Sequence, residues 1–115
     1  MEILDYWTIP GLVRKSDTDY APTLIRRIER FAGIENIRQR TRRREVCEAR
    51  QVAAYLLRRD TGFTTSLVGR MLGIDHSSVT HSVQVVDALL THDREFRSLW
   101  GAFIAESGRT VGDNN

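Results

Sequence analysis

Apolar residues recur at helical spacing along most of this 115-residue chain, but the first 20 residues show no sustained period. Pro10, Gly11 and the polar run SDTD interrupt that segment. We therefore predict an N-terminal arm or a short helical turn over residues 1–20. It is expected to pack through its apolar side chains, which are Trp7, Ile9, Leu12 and Val13.

The pattern then predicts two longer helices separated by a connecting segment. The first begins at Pro22, a residue suited to a first turn, and ends at Gly33, with apolar positions Leu24, Ile25, Ile28 and Phe31. The connecting segment is IENIRQRTRRR. The second helix is predicted from about Glu45 to Arg59, with an apolar face of Val46, Ala49, Ala53, Leu56 and Leu57.

Two further helices are predicted around a tight turn at Gly73. Thr64 or Thr65 can cap a short helix whose apolar residues are Leu67, Val68, Met71 and Leu72. After the turn, Asp75 can cap a helix whose predicted buried stripe is Val79, Val83, Val86 and Leu90. At 100° per residue the opposite side of that helix contains Ser77, His81, Gln84 and Ala88, with Thr80 beside them. We expect these residues to face outward together.

The last helix, from about Arg94 to Glu106, has an aromatic stripe of Phe96, Leu99, Trp100, Phe103 and Ile104. We interpret this stripe as core packing, with a dimer surface as the alternative. Residues 107–115 are predicted to form a flexible tail. The patterns together predict an all-α fold, a compact domain of five or six helices over residues 21–106.

The helices on either side of Gly73 have the spacing of a helix-turn-helix. Gly69, Gly73 and Val79 stand four and then six residues apart. In that motif a small first residue lets the helices approach, a glycine takes a left-handed turn, and an apolar third residue anchors the second helix. The outward N-terminal part of such a second helix can enter a DNA major groove. Plain packing of two helices is the alternative interpretation.

Charge is distributed unevenly, although the net charge is only +2. Residues 21–86 contain twelve arginines and six acids, whereas residues 1–20 and 87–115 each have a net charge of −2. Within residues 38–44 there is no acid but five arginines, which are Arg38, Arg40, Arg42, Arg43 and Arg44. Arginine suits phosphate oxygens and guanine edges. We interpret the cluster as a loop that faces a polyanion, with a solvated surface as the alternative.

Other classes of protein are not indicated. Cys47 is the only cysteine, so no intramolecular disulfide can form, and no apolar run approaches the roughly 20 residues that span a bilayer. The first residues lack a secretory signal, so we expect a cytoplasmic protein without a membrane partner. His76 and His81 diverge by about 140° around a helix, so we expect no metal site. No phosphate-loop motif, nucleophile or paired carboxylate indicates a cofactor or an enzyme.

The run from Arg44 to Val83 resembles the C-terminal DNA-binding domain, domain IV, of the bacterial chromosomal replication initiator DnaA. That family has an arginine-rich loop, an AR-Q-A helix motif, an I-G helix and a D-H-T-T-V-x-H signature. The matching residues here are Ala49, Arg50, Gln51, Ala53, Val68, Gly69, Asp75, His76, Ser77, Ser78, Val79 and His81. The upstream helix fits in order and spacing, so the resemblance covers about residues 22–104. It implies a Trp-repressor-like helix-turn-helix and double-stranded DNA as the partner.

The resemblance also implies a role for individual residues. Major-groove bases would be contacted by Asp75, His76 and Ser77, and phosphates by Arg42, Arg43, Arg44, Ser78 and His81. Arg50 would contact bases in a narrow, A·T-rich minor groove. The residues alone support less, namely that Ser77 and His81 face away from the core and that the loop is cationic.

Three departures from the family pattern change the expectation. Ser77 and Ser78 replace threonines, which keeps the hydroxyls and removes methyls that could touch a thymine methyl. The family's G-G-R before D-H is reduced to Gly73 and Ile74, so an arginine that contacts DNA is missing. The chain has no ATPase module, so we expect a stand-alone relative that acts in replication control or transcription regulation.

Two other functions stay open at this point. In the first, a protein-interaction module binds a partner through the aromatic last helix and the Trp7 arm, and the helix pair is structural. In the second, an ordinary helix-turn-helix regulator binds a palindrome as a dimer. The initiator-like interpretation instead favours a monomer on an asymmetric box, and leaves a larger replication or regulatory protein as a candidate further partner.

Overall fold

The structure is a computed structural model that describes residues 15–107, with side chains described from residue 19 onward. Five helices make up this part of the chain: α1 (Lys15–Ala32), α2 (Arg44–Asp60), α3 (Thr65–Leu72), α4 (His76–His92) and α5 (Arg94–Glu106). The predicted all-α class is confirmed. None of these helices is both long and apolar enough to cross a bilayer.

Helix α2 is central because it packs against α1, α3 and α4. Seven of its residues are buried: Val46, Ala49, Val52, Ala53, Ala54, Leu56 and Leu57. Three of these are alanines, which let neighbouring helices come close. Helix α4 also packs against α3 and α5, so the α3–α4 pair rests on the core formed by α2.

Helix α1 begins at Lys15, seven residues before the predicted start at Pro22. Pro22 is therefore inside the helix, and Ala21 precedes it as part of the buried face. A contact distant in sequence stabilises this first half, since the Tyr20 hydroxyl lies 2.9 Å from Asp60 Oδ2 at the end of α2. Gly33, with a φ of 70°, ends the helix as predicted. The predicted packing of Trp7 and its neighbours lies outside the described residues, as does most of the predicted tail.

Helix α5 has the predicted bounds, and four residues of its apolar stripe are buried: Phe96, Trp100, Phe103 and Ile104. The fifth, Leu99, is 55% exposed, so its predicted burial is wrong. Phe31 is 47% exposed, but its ring lies 5.0 Å from that of Trp100 and 4.8 Å from that of Phe103. These ring contacts join α5 to the end of α1 and confirm core packing for most of the stripe.

The buried stripe of α4 differs from the prediction at two positions. Val79, Ser82 and Val86 are buried, whereas Val83 and Leu90 are only partly buried. Positions i+3 and i+4 both lie near the same face of a helix, and α4 turns the i+3 position inward. The inward position is thus occupied by the small side chain of Ser82, which is 5% exposed.

Candidate nucleic-acid interface

The turn between α3 and α4 has the geometry that the glycine spacing predicts. A Cβ on Gly69 would lie 2.4 Å from the Ile74 carbonyl oxygen, so only glycine allows this approach. Gly73 adopts the left-handed conformation with a φ of 74°, and Val79 is fully buried. Thr64 caps α3 by accepting the Leu67 backbone N–H. The helix-turn-helix is therefore present, and it fixes where α4 begins.

Asp75 caps the N-terminal end of α4, as predicted. Its Oδ1 accepts the Ser78 backbone N–H at 2.8 Å and the Ser77 hydroxyl at 2.7 Å. Because an ionised carboxylate has no proton to give, Ser77 must be the donor. The bond from Ser77, followed by that from Ser78, lowers the pKa of Asp75 below its ordinary value. The carboxylate is therefore charged at neutral pH.

The Asp75–Ser77 pair presents hydrogen-bond acceptors to its surroundings. Both side chains are exposed, both bonds to Asp75 use Oδ1, and Ser77 has already given its proton. The amino donors displayed in the major groove are cytosine N4 and adenine N6. In this conformation the pair is suited to an amino group of a base rather than to a carbonyl.

The polar side of α4 faces outward, as the helical period predicts. Its exposed residues are His76, Ser77, Thr80, His81, Gln84 and Ala88. Ser78 is partly buried, and its backbone N–H donates to the Asp75 cap. The first turns of α4 thus offer a carboxylate, hydroxyls and imidazoles to a ligand.

The segment from Gly33 to Arg43, which we name the basic loop, is anchored to the core and to the helix-turn-helix. Its residues Ile34 and Ile37 are buried, and the Ile37 N–H donates to Glu29 Oε2 at 3.0 Å. Arg38 Nη1 donates to the Met71 carbonyl, near the C-terminal end of α3, at 3.3 Å. The basic loop therefore lies beside the turn that leads into α4. Sequence spacing did not predict this contact.

Beyond this anchor, Arg40, Arg42, Arg43 and Arg44 are exposed. Arg43 Nη2 lies 3.5 Å from Glu45 Oε2, with both side chains 61% exposed. The pKa of Glu45 is lowered mainly by a hydrogen bond from the Glu45 backbone and, to a smaller extent, by the positive charge of Arg43. A pair this exposed is weak and screened by water, so Arg43 can exchange Glu45 for a phosphate at little cost.

Arg50, a predicted DNA-contact residue, makes hydrogen bonds within the protein instead. It is partly buried on α2, where Nε donates to the Ile37 carbonyl and Nη2 to the Gln39 carbonyl, both at 2.7 Å. The side chain that the resemblance assigns to a minor groove thus contacts the basic loop. No sequence pattern indicates a contact between Arg50 and loop carbonyls eleven and thirteen residues earlier in the chain.

Comparison with known families gives one match to this surface. The sequence profile described as "Bacterial dnaA protein helix-turn-helix" matches residues 25–86. These residues include the C-terminal part of α1, the basic loop, α2, α3 and the N-terminal part of α4. No solved structure matches the chain.

Several curated relatives are named "Chromosomal replication initiator protein DnaA". That of Bacteroides fragilis is 43% identical over 63 residues, which are 54% of this chain and 13% of the relative. That of a Picosynechococcus strain is 35% identical over 83 residues, covering 69% of this chain and 18% of the relative. That of Gloeobacter violaceus is 31% identical over 91 residues, which are 78% of this chain and 21% of the relative. The chain therefore spans about 13–21% of the length of these three relatives.

Proposed function

The chain belongs to the bacterial DnaA helix-turn-helix family, whose profile matches more than half of its residues, and we propose that it binds double-stranded DNA sequence-specifically through α4 and the basic loop. The family binds DNA. What this chain would add is its own base preference, set by the side chains at the start of α4.

The observation that carries the proposal is the bond between Arg38 and the Met71 carbonyl. It holds the basic loop beside the turn from which α4 starts, so a cationic surface adjoins an outward polar one. Phosphate contacts fix the position of a protein on DNA, and contacts to base edges in the groove read the sequence. The two surfaces supply the side chains for both tasks.

We assign the roles accordingly. Asp75, His76 and Ser77 contact bases in the major groove, and Asp75 with Ser77 accepts from an amino group. Phosphates are contacted by Arg42, Arg43, Arg44, Ser78 and His81. Arg50 is a candidate for a minor-groove contact only if it leaves the carbonyls of Ile37 and Gln39.

We further propose a role in replication control or transcription regulation. The chain is similar only to a short part of the replication initiators, and its 115 residues contain no G-x-x-x-x-G-K-[ST] phosphate loop. Competition for initiator-like sites, or regulation of a nearby promoter, needs no ATP hydrolysis by this chain.

The proposal is tested by titrating labelled duplexes with Ser77→Ala and Arg43→Ala across a series of salt concentrations. Ser77→Ala should reduce the preference for the best duplex over unrelated ones. Arg43→Ala should weaken binding to all duplexes alike and lower the salt slope by about one.

Arg94→Ala serves as the matched control, because it removes one exposed charge beyond the C-terminal end of α4. That end is about 24 Å from the N-terminal end by helical rise. This variant should change affinity less than Arg43→Ala. Equal effects of Ser77→Ala and Arg43→Ala on every duplex would contradict the division between base and phosphate contacts.

A further inference from the structure

A forked contact from one α2 side chain, Arg50, joins the middle of the basic loop to α2. The Arg50 guanidinium donates from Nε to the Ile37 carbonyl and from Nη2 to the Gln39 carbonyl, each at 2.7 Å. We infer that Arg50 is a positioning residue, which holds the basic loop in the shape that presents its arginines to DNA. The consequence for DNA rests on the proposed function, whereas the effect on the loop does not.

The geometry of the contact is specific to arginine. A guanidinium is planar, always charged, and offers donors at fixed angles, so one side chain can satisfy two carbonyls that face the same point. A lysine ammonium keeps the charge but cannot reproduce the fork. The contact is partly buried, so water can replace the lost donors only in part.

The fork lies at the last firm anchor of the loop before its exposed arginines. On the N-terminal side, Ile37 is held by burial and by Glu29. Gln39 is held by Arg50 and by bonds from its own N–H and side-chain amide to the Asn36 carbonyl. Arg40 follows directly, and its position depends on where Arg50 holds Gln39. Arg42 and Arg43 come next and are also held from the other side, since Cys47 Sγ lies 3.6 Å from the Thr41 carbonyl oxygen and the Cys47 N–H donates to the Arg43 carbonyl. The course of the loop between these two anchors therefore depends on Arg50.

The contact also restricts what else Arg50 can do. The Nε–H and the Nη2 proton that point to the loop carbonyls cannot donate to a base at the same time. If Arg50 moved fully into a minor groove, the Ile37 and Gln39 carbonyls would lose these donors and the basic loop would loosen just as its arginines are needed. We therefore assign Arg50 to the loop in the DNA-bound protein as well as in the free one.

The test compares Arg50→Lys with the wild type, using amide hydrogen exchange in the free protein. The reporting amides are those of Ile37, Arg38, Gln39 and Arg43, each of which has an acceptor in the structure. They should exchange at least about tenfold faster in the variant, while the α4 amides keep their rates. Arg58→Lys is the control, because Arg58 also lies on α2 and donates to a loop carbonyl, that of Phe63. It should leave the four reporting amides unchanged.

The second readout is DNA affinity, measured where both proteins are folded. Since lysine keeps the charge, Arg50→Lys should weaken binding to all duplexes by about tenfold and leave the order of base preference intact. Unchanged exchange of the four amides would overturn the inference, as would a changed preference at an A·T stretch. If the wild type bound no DNA, the proposed function would fail, and exchange would still decide whether Arg50 positions the loop.

Discussion

Asp75 combines two tasks in one exposed carboxylate. Its Oδ1 begins α4 by accepting the Ser78 N–H, and the Ser77 hydroxyl donates to the same atom. An aspartate or asparagine favours the N-cap because its side-chain oxygen satisfies an otherwise free backbone donor. Capping explains why residue 75 has a side-chain oxygen. It does not explain why the Asp75 carboxylate and the Ser77 hydroxyl together face outward as hydrogen-bond acceptors.

Substitution can separate these two tasks. Asp75→Asn should keep the cap and change the melting temperature little, because asparagine is an equally good N-cap. It replaces an acceptor by an amide donor, so the base preference at the position it contacts should change by about tenfold. Asp75→Ala should lower both the melting temperature and the affinity. Thermal melts and duplex titrations of the two variants measure this, and identical base preference in Asp75→Asn and wild type would exclude a base contact by Asp75.

The lowered pKa of Asp75 also predicts a pH dependence. A carboxyl whose pKa is lower in the folded than in the unfolded state stabilises the fold above the unfolded value and loses this effect as pH falls through the folded value. The difference in unfolding free energy between wild type and Asp75→Asn should thus be constant between about pH 5 and 8 and change only in acid. Denaturant melts across pH provide the measurement. The absence of any change in acid would show that Ser77 and Ser78 do not lower the pKa of this carboxyl.

At the scale of elements, the α3–α4 pair depends on one close approach. Gly69 lies in a helix, where alanine would normally be favoured by about 0.5–1 kcal/mol. Here a Cβ would lie 2.4 Å from the Ile74 carbonyl oxygen, a backbone atom that cannot move without moving the turn. Backbone contact thus outweighs helix propensity at this residue.

Gly69→Ala is expected to destabilise the fold by about 1–3 kcal/mol and to tilt α4 against α3. Gly101→Ala is the matched control, since it lies in α5 and the nearest atom to its Cβ would be Arg97 Cβ at 4.0 Å. That variant should be neutral or slightly stabilising. Urea denaturation of both variants tests the difference, and equal stability of the two would show that the helices do not pack as closely as described.

Local sequence signals determine most of the elements. Gly33, Thr64, Gly73 and Asp75 act within three or four residues of their own position, so capping and turn preferences predict the ends of α1, α3 and α4. The start of α1 was missed because it depends on Tyr20 meeting Asp60 and on burial of Ala21. A helical period also cannot show whether Ser82 or Val83 is the buried residue, or that Leu99 is exposed. Both depend on how the helix is oriented against its neighbours.

At the scale of the whole molecule, the candidate surface joins segments that are distant in sequence. The helical period predicts the outward face of α4, and composition predicts a cationic loop. That the two adjoin depends on Arg38 and the Met71 carbonyl, 33 residues apart. That Arg50 contacts the loop depends on the fold of the Gly33–Arg43 segment. Hydrogen bonds from side chains to backbone carbonyls produce no periodic pattern in the sequence, so these contacts could not be predicted from it.

The arrangement also distinguishes the remaining interpretations. A DnaA-like domain that reads DNA with one copy of α4 and one basic loop needs no symmetric partner, so it should select an asymmetric box. A dimeric helix-turn-helix regulator would select a palindrome with half-sites about one helical turn apart. A protein-interaction module would select no sequence at all.

Selection of bound duplexes from a randomised library, at near-physiological salt, tests the central claim most directly. Wild type and Ser77→Ala are run side by side. The account predicts that the wild type enriches one asymmetric box. Ser77→Ala should reduce the preference at the position facing the Asp75–Ser77 pair, where an amino group of cytosine or adenine is expected. If the wild type enriches no sequence, α4 does not read bases and the proposed function is wrong.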